Sequence, residues 1–232
     1  MQALVSIAAL VPPPLGYTPP RPAMPPAFKA GFFGAFFNES CYHTGFLFYD
    51  DTVRKLRTDW MIGDCADTVG FNLLAKTDIN DANAGRILNY YVPFNTTSYA
   101  CNIIPLENGN WWQRDYLAGA QYLGQALVAP MTTLSGQGGA ASSSSSSATN
   151  VSVLTDVFNS TGQFLAGYVL TYLPVVSANA PFEYRPLRME IWQGPHENYY
   201  QSFTYFNPSN ASLPAQTFDI FPTLACAPQA KL

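Results

Sequence analysis

From Phe28 onward the chain alternates short runs of aromatic and β-branched residues with clusters of Gly, Pro, Asn and Asp. This pattern is typical of β-strands joined by tight turns. Helical periodicity is weak except over residues 112–129, so we expect a mainly β chain with at most one or two short helices. Candidate strands lie near residues 31–38, 43–50, 52–60, 69–76, 86–94, 98–104, 111–117, 151–159, 162–173, 185–193, 198–206 and 216–221.

The strand pattern predicts a single β-rich domain over residues 28–226. Residues 1–27 combine an apolar N-terminus, interpreted as a possible signal remnant or a segment that docks elsewhere, with a proline-rich arm. The prolines fix φ and remove amide donors, which excludes a helix or a central strand there. The Gly- and Ser-rich stretch 135–149 is expected to be a flexible loop, and residues 227–232 form a C-terminal tail.

Charged residues make up only 11% of the chain, and the net charge is −4. No basic cluster is present that could neutralise phosphates, so nucleic acid is not an expected partner. A surface with so few charges needs another source of hydrophilicity, and N-linked glycans would supply it. Acceptor sequons occur at Asn38, Asn95, Asn150, Asn159 and Asn210.

The four cysteines, Cys41, Cys65, Cys101 and Cys226, contain no C-x-x-C pair. Two disulfides in an oxidising compartment are therefore expected rather than a zinc site, with three pairings possible. Together with the sequons, they predict a secreted, extracellular glycoprotein. No apolar run is long enough to predict a membrane-spanning helix.

The sequence does not predict catalysis. The G-x-S-x-G nucleophile motif is absent, and any Ser–His arrangement would have to use His43 or His196. No cofactor or metal is expected. Residues 78–85 are rich in oxygen ligands, but they lack the spacing and the closing Glu of an EF-hand, so a solvated loop is preferred to a calcium site.

Aromatic residues carry the main functional signal, with 4 Trp, 14 Tyr and 16 Phe. Wide rings with polar tips can line a cavity for an apolar ligand, although each ring alone is equally compatible with a sheet core. The predicted ligand-binding residues are Phe46, Phe48, Tyr90, Trp111, Trp112, Tyr168, Tyr172, Trp192 and Phe203.

Several segments in one order resemble the ependymin-related proteins, which share the fold of the bacterial lipoprotein carriers LolA and LolB. The segments are Phe48-Tyr49-Asp50 followed by 53–57, the strand 90–101 closing on Cys101, 186–192, 200–206, and Phe218-Asp-Ile followed by Cys226. The resemblance implies a strongly curved antiparallel sheet that forms a half-open barrel. It also implies a Cys101–Cys226 disulfide, which leaves Cys41 for Cys65.

Three functions are compatible with these patterns. The first is a non-enzymatic secreted protein that binds a lipid or other hydrophobic ligand in the concave face of its sheet. The second is a structural subunit of an extracellular coat or filament, a homo-oligomer or a partner of neighbouring subunits, which associates through its arm and aromatic faces. The third is a carbohydrate-binding module that uses exposed tryptophans.

Overall fold

A computed structural model gives the structure of residues 10–19, 21, 23–36, 42–62, 73–93, 98–106, 112–128, 152–161, 168–175, 185–192, 199–220 and 224–228. These residues are mainly β, as the sequence predicts. The strands are β1 (Ala27–Phe36), β2 (Tyr42–Asp50), β3 (Lys55–Ile62), β4 (Leu73–Asp81), β5 (Arg86–Pro93), β6 (Ala100–Pro105), β7 (Gln121–Val128), β8 (Val153–Thr161), β9 (Tyr168–Pro174), β10 (Arg188–Trp192), β11 (Tyr199–Ser209) and β12 (Ala227–Pro228).

All of these strands belong to one sheet, in the order β12-β6-β5-β4-β3-β2-β1-β11-β10-β9-β8-β7. Strands β1 to β6 follow one another as neighbours, and so do β7 to β11. Pairing of β1 with β11 joins the two series at the centre of the sheet. Every pairing is antiparallel except that of the short edge strand β12 with β6.

The connection from β6 to β7 shows that the sheet is strongly curved. These strands are separated by nine others in the sheet order, which corresponds to roughly 48 Å of flat sheet. The residues between Pro105 and Gln121 could reach about 50 Å only if fully extended. However, residues 114–119 of this connection form turns. The sheet must therefore bend around the connection, which defines the concave face as the one that the connection crosses.

The predicted helical tendency over residues 112–129 is wrong, as is the predicted strand over residues 111–117. The stretch forms turns over 114–119 and then strand β7. Gly124 lies in β7 with φ of 132°, a conformation that favours glycine and breaks a helix. The predicted strand at 216–221 is also wrong, since Ala215–Thr217 form a single 3₁₀ turn.

Side chains along each strand alternate between the two faces of the sheet. In β2, for example, His43, Leu47 and Tyr49 are buried on the concave side, whereas Tyr42 and Phe46 are exposed on the convex side. The main core fills the concave face and includes Met24, Phe28, Phe32, Leu47, Tyr49, Leu56, Trp112, Tyr116, Leu117, Phe158, Val169, Leu173, Met189, Ile191 and Phe203.

The C-terminal segment, of which residues 213–220 and 224–226 are described, covers the convex side of β2 to β6. Phe218 packs there against Ile79 and Tyr90. The Cys101–Cys226 disulfide, as predicted, ties the end of this segment to β6. Its start is held by Asp50, which accepts hydrogen bonds from Ser212 Oγ (2.5 Å) and the amide of Leu213 (2.7 Å).

Asp50 also closes the predicted turn between β2 and β3. Its Oδ1 accepts hydrogen bonds from the amide and the hydroxyl of Thr52, at 3.0 and 2.6 Å. Burial acts to raise the pKa of Asp50, but the hydrogen bonds from Ser212, Thr52 and the backbone outweigh it and hold the pKa below its ordinary value. The carboxylate therefore links the first hairpin to the C-terminal segment.

The N-terminal arm, of which residues 10–19, 21 and 23–26 are described, contains no helix over those residues and turns at Leu15 and Gly16. Val11 forms an antiparallel bridge with Gln125 at the outer edge of β7. Further along, the Tyr17 hydroxyl donates to Asp156 Oδ2 at 2.5 Å. The arm is thus bound to the sheet of its own chain.

Several predictions fall outside the described residues: the pairing of Cys41 with Cys65, the sequons at Asn38, Asn95 and Asn150, and the loop 135–149. Within the described part of the chain, no helix has the length and apolar character needed to cross a membrane.

Candidate binding surfaces

The apolar half of the concave face is occupied by the plug segment, residues 112–120. Its Trp112 carbonyl accepts a hydrogen bond from the Tyr49 hydroxyl (2.9 Å) in β2, and its Tyr116 carbonyl accepts one from Ser160 Oγ (3.1 Å) in β8. The Tyr116 hydroxyl lies 3.2 Å from Thr171 Oγ1 in β9. The plug segment therefore binds strands on both sides of the curved sheet.

The N-terminal arm holds the plug segment from outside. The Met24 amide donates to the Arg114 carbonyl at 2.7 Å, and Arg114 Nε donates back to the Met24 carbonyl at 2.9 Å. Arg21 donates to the carbonyl of Ala118. Met24 itself is fully buried in the main core. An apolar ligand could reach this half of the concave face only if both layers moved.

The other half of the concave face, over β4 to β6, carries a row of polar side chains. Asp78, Asn89 and Asn102 lie opposite one another on the three strands. Asn89 Nδ2 donates to Asp78 Oδ1 (2.6 Å), and Lys76 Nζ lies 2.9 Å from Asp78 Oδ2. Asn102 donates to the Tyr91 hydroxyl at 3.3 Å, and Ile87 and Ile104 lie on the same face of β5 and β6, so this half of the concave face is a mixed polar and apolar surface.

His43 is enclosed at the end of β2. It is 1% exposed and lies between the rings of Phe32 and Trp60, whose centroids are 5.9 and 5.2 Å from its own. Gly34 gives the imidazole its room, because a Cβ at this position would overlap His43 and the carbonyl of Tyr200. Burial lowers the pKa of His43 to about 4. A neutral histidine in such a setting is a core residue rather than an accessible base.

The convex face carries an apolar stripe of large exposed side chains on β2, β3 and β11. Its members are Tyr42 (57% exposed), Met61 (57%), Phe46 (44%) and Tyr205 (41%). Single exposed apolar residues are common in soluble proteins, but neighbouring ones on adjacent strands form a patch that typically contacts a partner.

Gly31 shapes the centre of the apolar stripe. It lies opposite Phe46 on one side and Tyr205 on the other. A Cβ at Gly31 would overlap the Tyr205 ring, so the ring lies directly on the backbone of β1. The Phe46 and Tyr205 centroids are consequently 6.4 Å apart across an intervening strand. The rings of the stripe therefore lie flat against the sheet, which suits contact with another flat surface.

Charged pairs border the apolar stripe. On β3, Arg57 Nη2 lies 2.8 Å from Asp59 Oδ2, and Arg57 also donates to the Thr217 carbonyl of the C-terminal segment. On β10, Arg188 pairs with the buried Glu190 (2.9 Å) and lies 4.3 Å from the centroid of the Tyr200 ring. An apolar centre with a polar rim is the usual organisation of a protein interface.

The structure does not bring the predicted ligand-binding residues together on one surface. Trp112 and Phe203 belong to the concave core. Tyr172 packs in a separate cluster on the convex side, with Val157 and Leu170. Phe48 and Tyr90 lie under the C-terminal segment, Phe46 lies in the apolar stripe, and Trp192 is half-buried at the end of β10. Trp111 and the side chain of Tyr168 are outside the described part.

The predicted oxygen-rich stretch 78–85 divides between the end of β4 and the turn that follows it. Asp78 points to the concave side, whereas Asp81 pairs with Lys55 on the convex side (3.4 Å). Within the described ranges, no group of three acidic, histidine or cysteine side chains is placed to hold a metal ion. His196 lies outside those ranges.

Sequence reasoning missed Tyr42, Met61 and Tyr205 as surface residues. For Tyr42 the signal is present, because the alternate side chains of β2 are buried, whereas around Tyr205 the alternation is broken by a register irregularity between β1 and β11. What the sequence does not reveal is which convex positions the C-terminal segment covers.

Comparisons with known proteins do not assign this chain to a family. Neither protein-family models nor curated proteins match it. Among solved structures, an uncharacterized conserved protein from Thermus thermophilus is similar, with 12% identity, a TM-score of 0.47, and coverage of 88% of this chain and 90% of that one. The Pseudomonas aeruginosa MucA/MucB complex aligns with 14% identity and a TM-score of 0.34, over 83% of this chain and 54% of that one. Neither similarity is close enough to bear on function.

Proposed function

We propose that this protein is a secreted, non-enzymatic subunit of an extracellular assembly, and that two copies associate through their apolar stripes. The observation that carries the proposal is the exposure of Tyr42, Phe46, Met61 and Tyr205 on the convex face of β2, β3 and β11. Burying these side chains against a second copy would remove apolar surface from water, which is the main driving force of such association.

A second copy is the partner that fits best. The stripe is low in profile because Tyr205 lies on Gly31, and its rim carries both signs of charge in Arg57 and Asp59. In a two-fold dimer the same patch lies on both partners, so a positive group on one rim can pair with a negative group on the other. The Cys101–Cys226 disulfide and the resemblance to the ependymin-related proteins are compatible with a secreted oligomer.

The hydrophobic ligand predicted from the sequence is a different proposal for the concave face. Binding there requires displacement of Trp112, Tyr116 and the arm, which the structure joins to the sheet by several hydrogen bonds. For this reason we assign the apolar contact to the convex face. A co-purifying lipid in native mass spectra of protein from its own source would instead favour the concave face.

Sedimentation velocity of the full chain over a concentration series tests the proposal. We expect a reversible dimer at concentrations on the order of 1–100 μM, the range for a small, non-obligate interface. Phe46→Gln with Met61→Gln should shift the protein to monomer. Leu15→Gln is the matched control, because Leu15 is fully exposed in the arm and far from the stripe in sequence. A wild-type monomer throughout the series, or dissociation by the control alone, overturns the proposal.

A further inference from the structure

We infer that Asn210 carries an N-linked glycan and that Asn159 does not, an inference that rests on the proposed secretion. These are the two sequon asparagines in the described part of the chain. The sequence alone treats them as equivalent, since both satisfy the Asn-x-Ser/Thr rule. Their positions in the fold separate them.

Asn210 lies immediately after β11, in a bend where the chain leaves the sheet. It is exposed, and so are its neighbours Pro208 and Ala211. The bend is fixed by Ser209, whose hydroxyl donates to the Ala211 carbonyl (2.8 Å) and lies 3.1 Å from the Ala211 amide. A bulky, hydrated sugar chain on Asn210 can project into solvent without moving any strand.

Asn159 lies inside the sheet. It belongs to β8 and is paired with Gln121 of β7 on one side and Leu170 of β9 on the other. The oxygen of its side-chain amide is buried. The next residue, Ser160, is 5% exposed and donates to the plug segment. The Asn159 side chain lies on the convex face beside Leu170, which belongs to a buried apolar cluster, so a glycan on this partly buried amide would disturb the packing of that cluster.

In the folded protein the Asn210 sequon is exposed, but the hydroxyl of its third residue is hydrogen-bonded. Its third residue, Ser212, donates its hydroxyl to Asp50 in the folded protein. Because the transferring enzyme reads that hydroxyl, attachment of the sugar is favoured before Ser212 binds Asp50.

The position of Asn210 leaves the apolar stripe free. Ser209 lies opposite Ala27, which lies opposite Asp50, so Asn210 is at the end of the sheet. Tyr205 is five residues earlier in the chain, or about 17 Å along an extended strand. The glycan thus shields one end of the sheet while the stripe remains available to a second copy.

Glycopeptide mapping of the full chain secreted from a eukaryotic cell line tests the inference. Release by peptide-N-glycosidase in ¹⁸O water converts each glycosylated Asn to labelled Asp. We expect the label at Asn210 and unmodified Asn at 159. A label at Asn159, or an unlabelled Asn210 in the secreted protein, overturns the inference.

Three variants compare the glycan mass of secreted protein, which does not depend on how much of each variant folds. Asn210→Gln should reduce the intact mass by one glycan while it retains the Ser212–Asp50 contact. Ser212→Thr should keep the glycan on Asn210 and the hydrogen bond of residue 212 to Asp50. Asn159→Gln should have the wild-type glycan mass. Loss of a glycan in Asn159→Gln overturns the inference. Sedimentation tests self-association and glycopeptide mapping tests the glycan, so a monomeric protein would overturn the first proposal without affecting the second.

Discussion

The hydroxyl of Tyr49 in β2 donates a hydrogen bond of 2.9 Å to the main-chain carbonyl of Trp112, 63 residues later in the chain. Both residues are buried, and their rings also meet edge to face at 6.0 Å. Burial and the nearby Asp51 carboxylate raise the pKa of Tyr49, so the hydroxyl stays protonated and remains a donor. This bond joins the crossing connection to the concave face.

Tyr49→Phe should therefore destabilise the fold. The substitution keeps the ring but leaves a buried carbonyl without its donor, which costs about 1–3 kcal/mol. Urea denaturation would measure the loss. Tyr205→Phe is the control, because that ring is 41% exposed and should change the free energy of unfolding by less than about 0.5 kcal/mol. Equal effects of the two substitutions would contradict the role of the Tyr49 bond.

Gly34→Ala should destabilise the fold, whereas Gly119→Ala should leave its stability nearly unchanged. A methyl group at Gly34 would overlap the His43 imidazole and the Tyr200 carbonyl, and overpacking of this kind costs about 1–3 kcal/mol or more. No atom lies within 4 Å of a Cβ at Gly119. Thermal unfolding of the two alanine variants provides the comparison. A normal melting temperature for Gly34→Ala would show that β1 and β2 are packed less closely than described.

The stability of the protein should fall between pH 7 and pH 5. The pKa of His43 is about 4 in the folded state and about 6.5 when unfolded, so the unfolded chain binds more protons in this range. Folding favours the neutral imidazole, and the expected loss is about 2 kcal/mol over these two pH units. The pKa of Asp50 is lowered in the folded protein, so the stability that its carboxylate contributes is lost only at more acidic pH.

Denaturation curves at pH 5 and pH 7 for the wild type and His43→Leu test this expectation. The leucine variant should retain only the pH dependence of the other groups. If the variant and the wild type lose the same stability, His43 is not the residue responsible.

Removal of the Cys101–Cys226 disulfide should cost about 3–5 kcal/mol, since it closes a loop of 125 residues. Replacement of both cysteines by alanine should also increase hydrogen exchange in β6, because the C-terminal segment that covers it loses its tether. Unchanged exchange in β6, together with unchanged stability, would mean that the apolar contacts of Phe218 are sufficient to hold the segment.

The sequence predicts the strands where alternation and turn chemistry agree. Asp50 and Asp51 mark the first hairpin correctly, because Asp50 bonds to the turn that follows it. Prediction fails over residues 112–120, since Trp112, Tyr116 and Leu117 are spaced like a helical face but are buried by tertiary contacts from β2, β8 and β9. The spacing of apolar residues cannot distinguish a helix from an irregular segment that the sheet encloses.

The candidate surface was less predictable than the fold. Phe46 and Phe48 are two residues apart on the convex side of β2, yet Phe46 is exposed while Phe48 packs under the C-terminal segment. The difference depends on a segment far away in the chain. No local pattern records it, so aromatic content alone could not indicate which rings face a partner.

The bridge between Val11 and Gln125 and the pairing of β12 with β6 place a short piece of each chain end along each outer strand of the sheet. Backbone donors and acceptors on an outer strand are otherwise a template on which further molecules can stack into fibrils. Pro228 in β12 and Pro12 and Pro13 beside Val11 have no amide hydrogen to offer the next molecule. The described residues at 11–13 and 227–228 therefore reduce the number of free amide donors that the two edges of the sheet present.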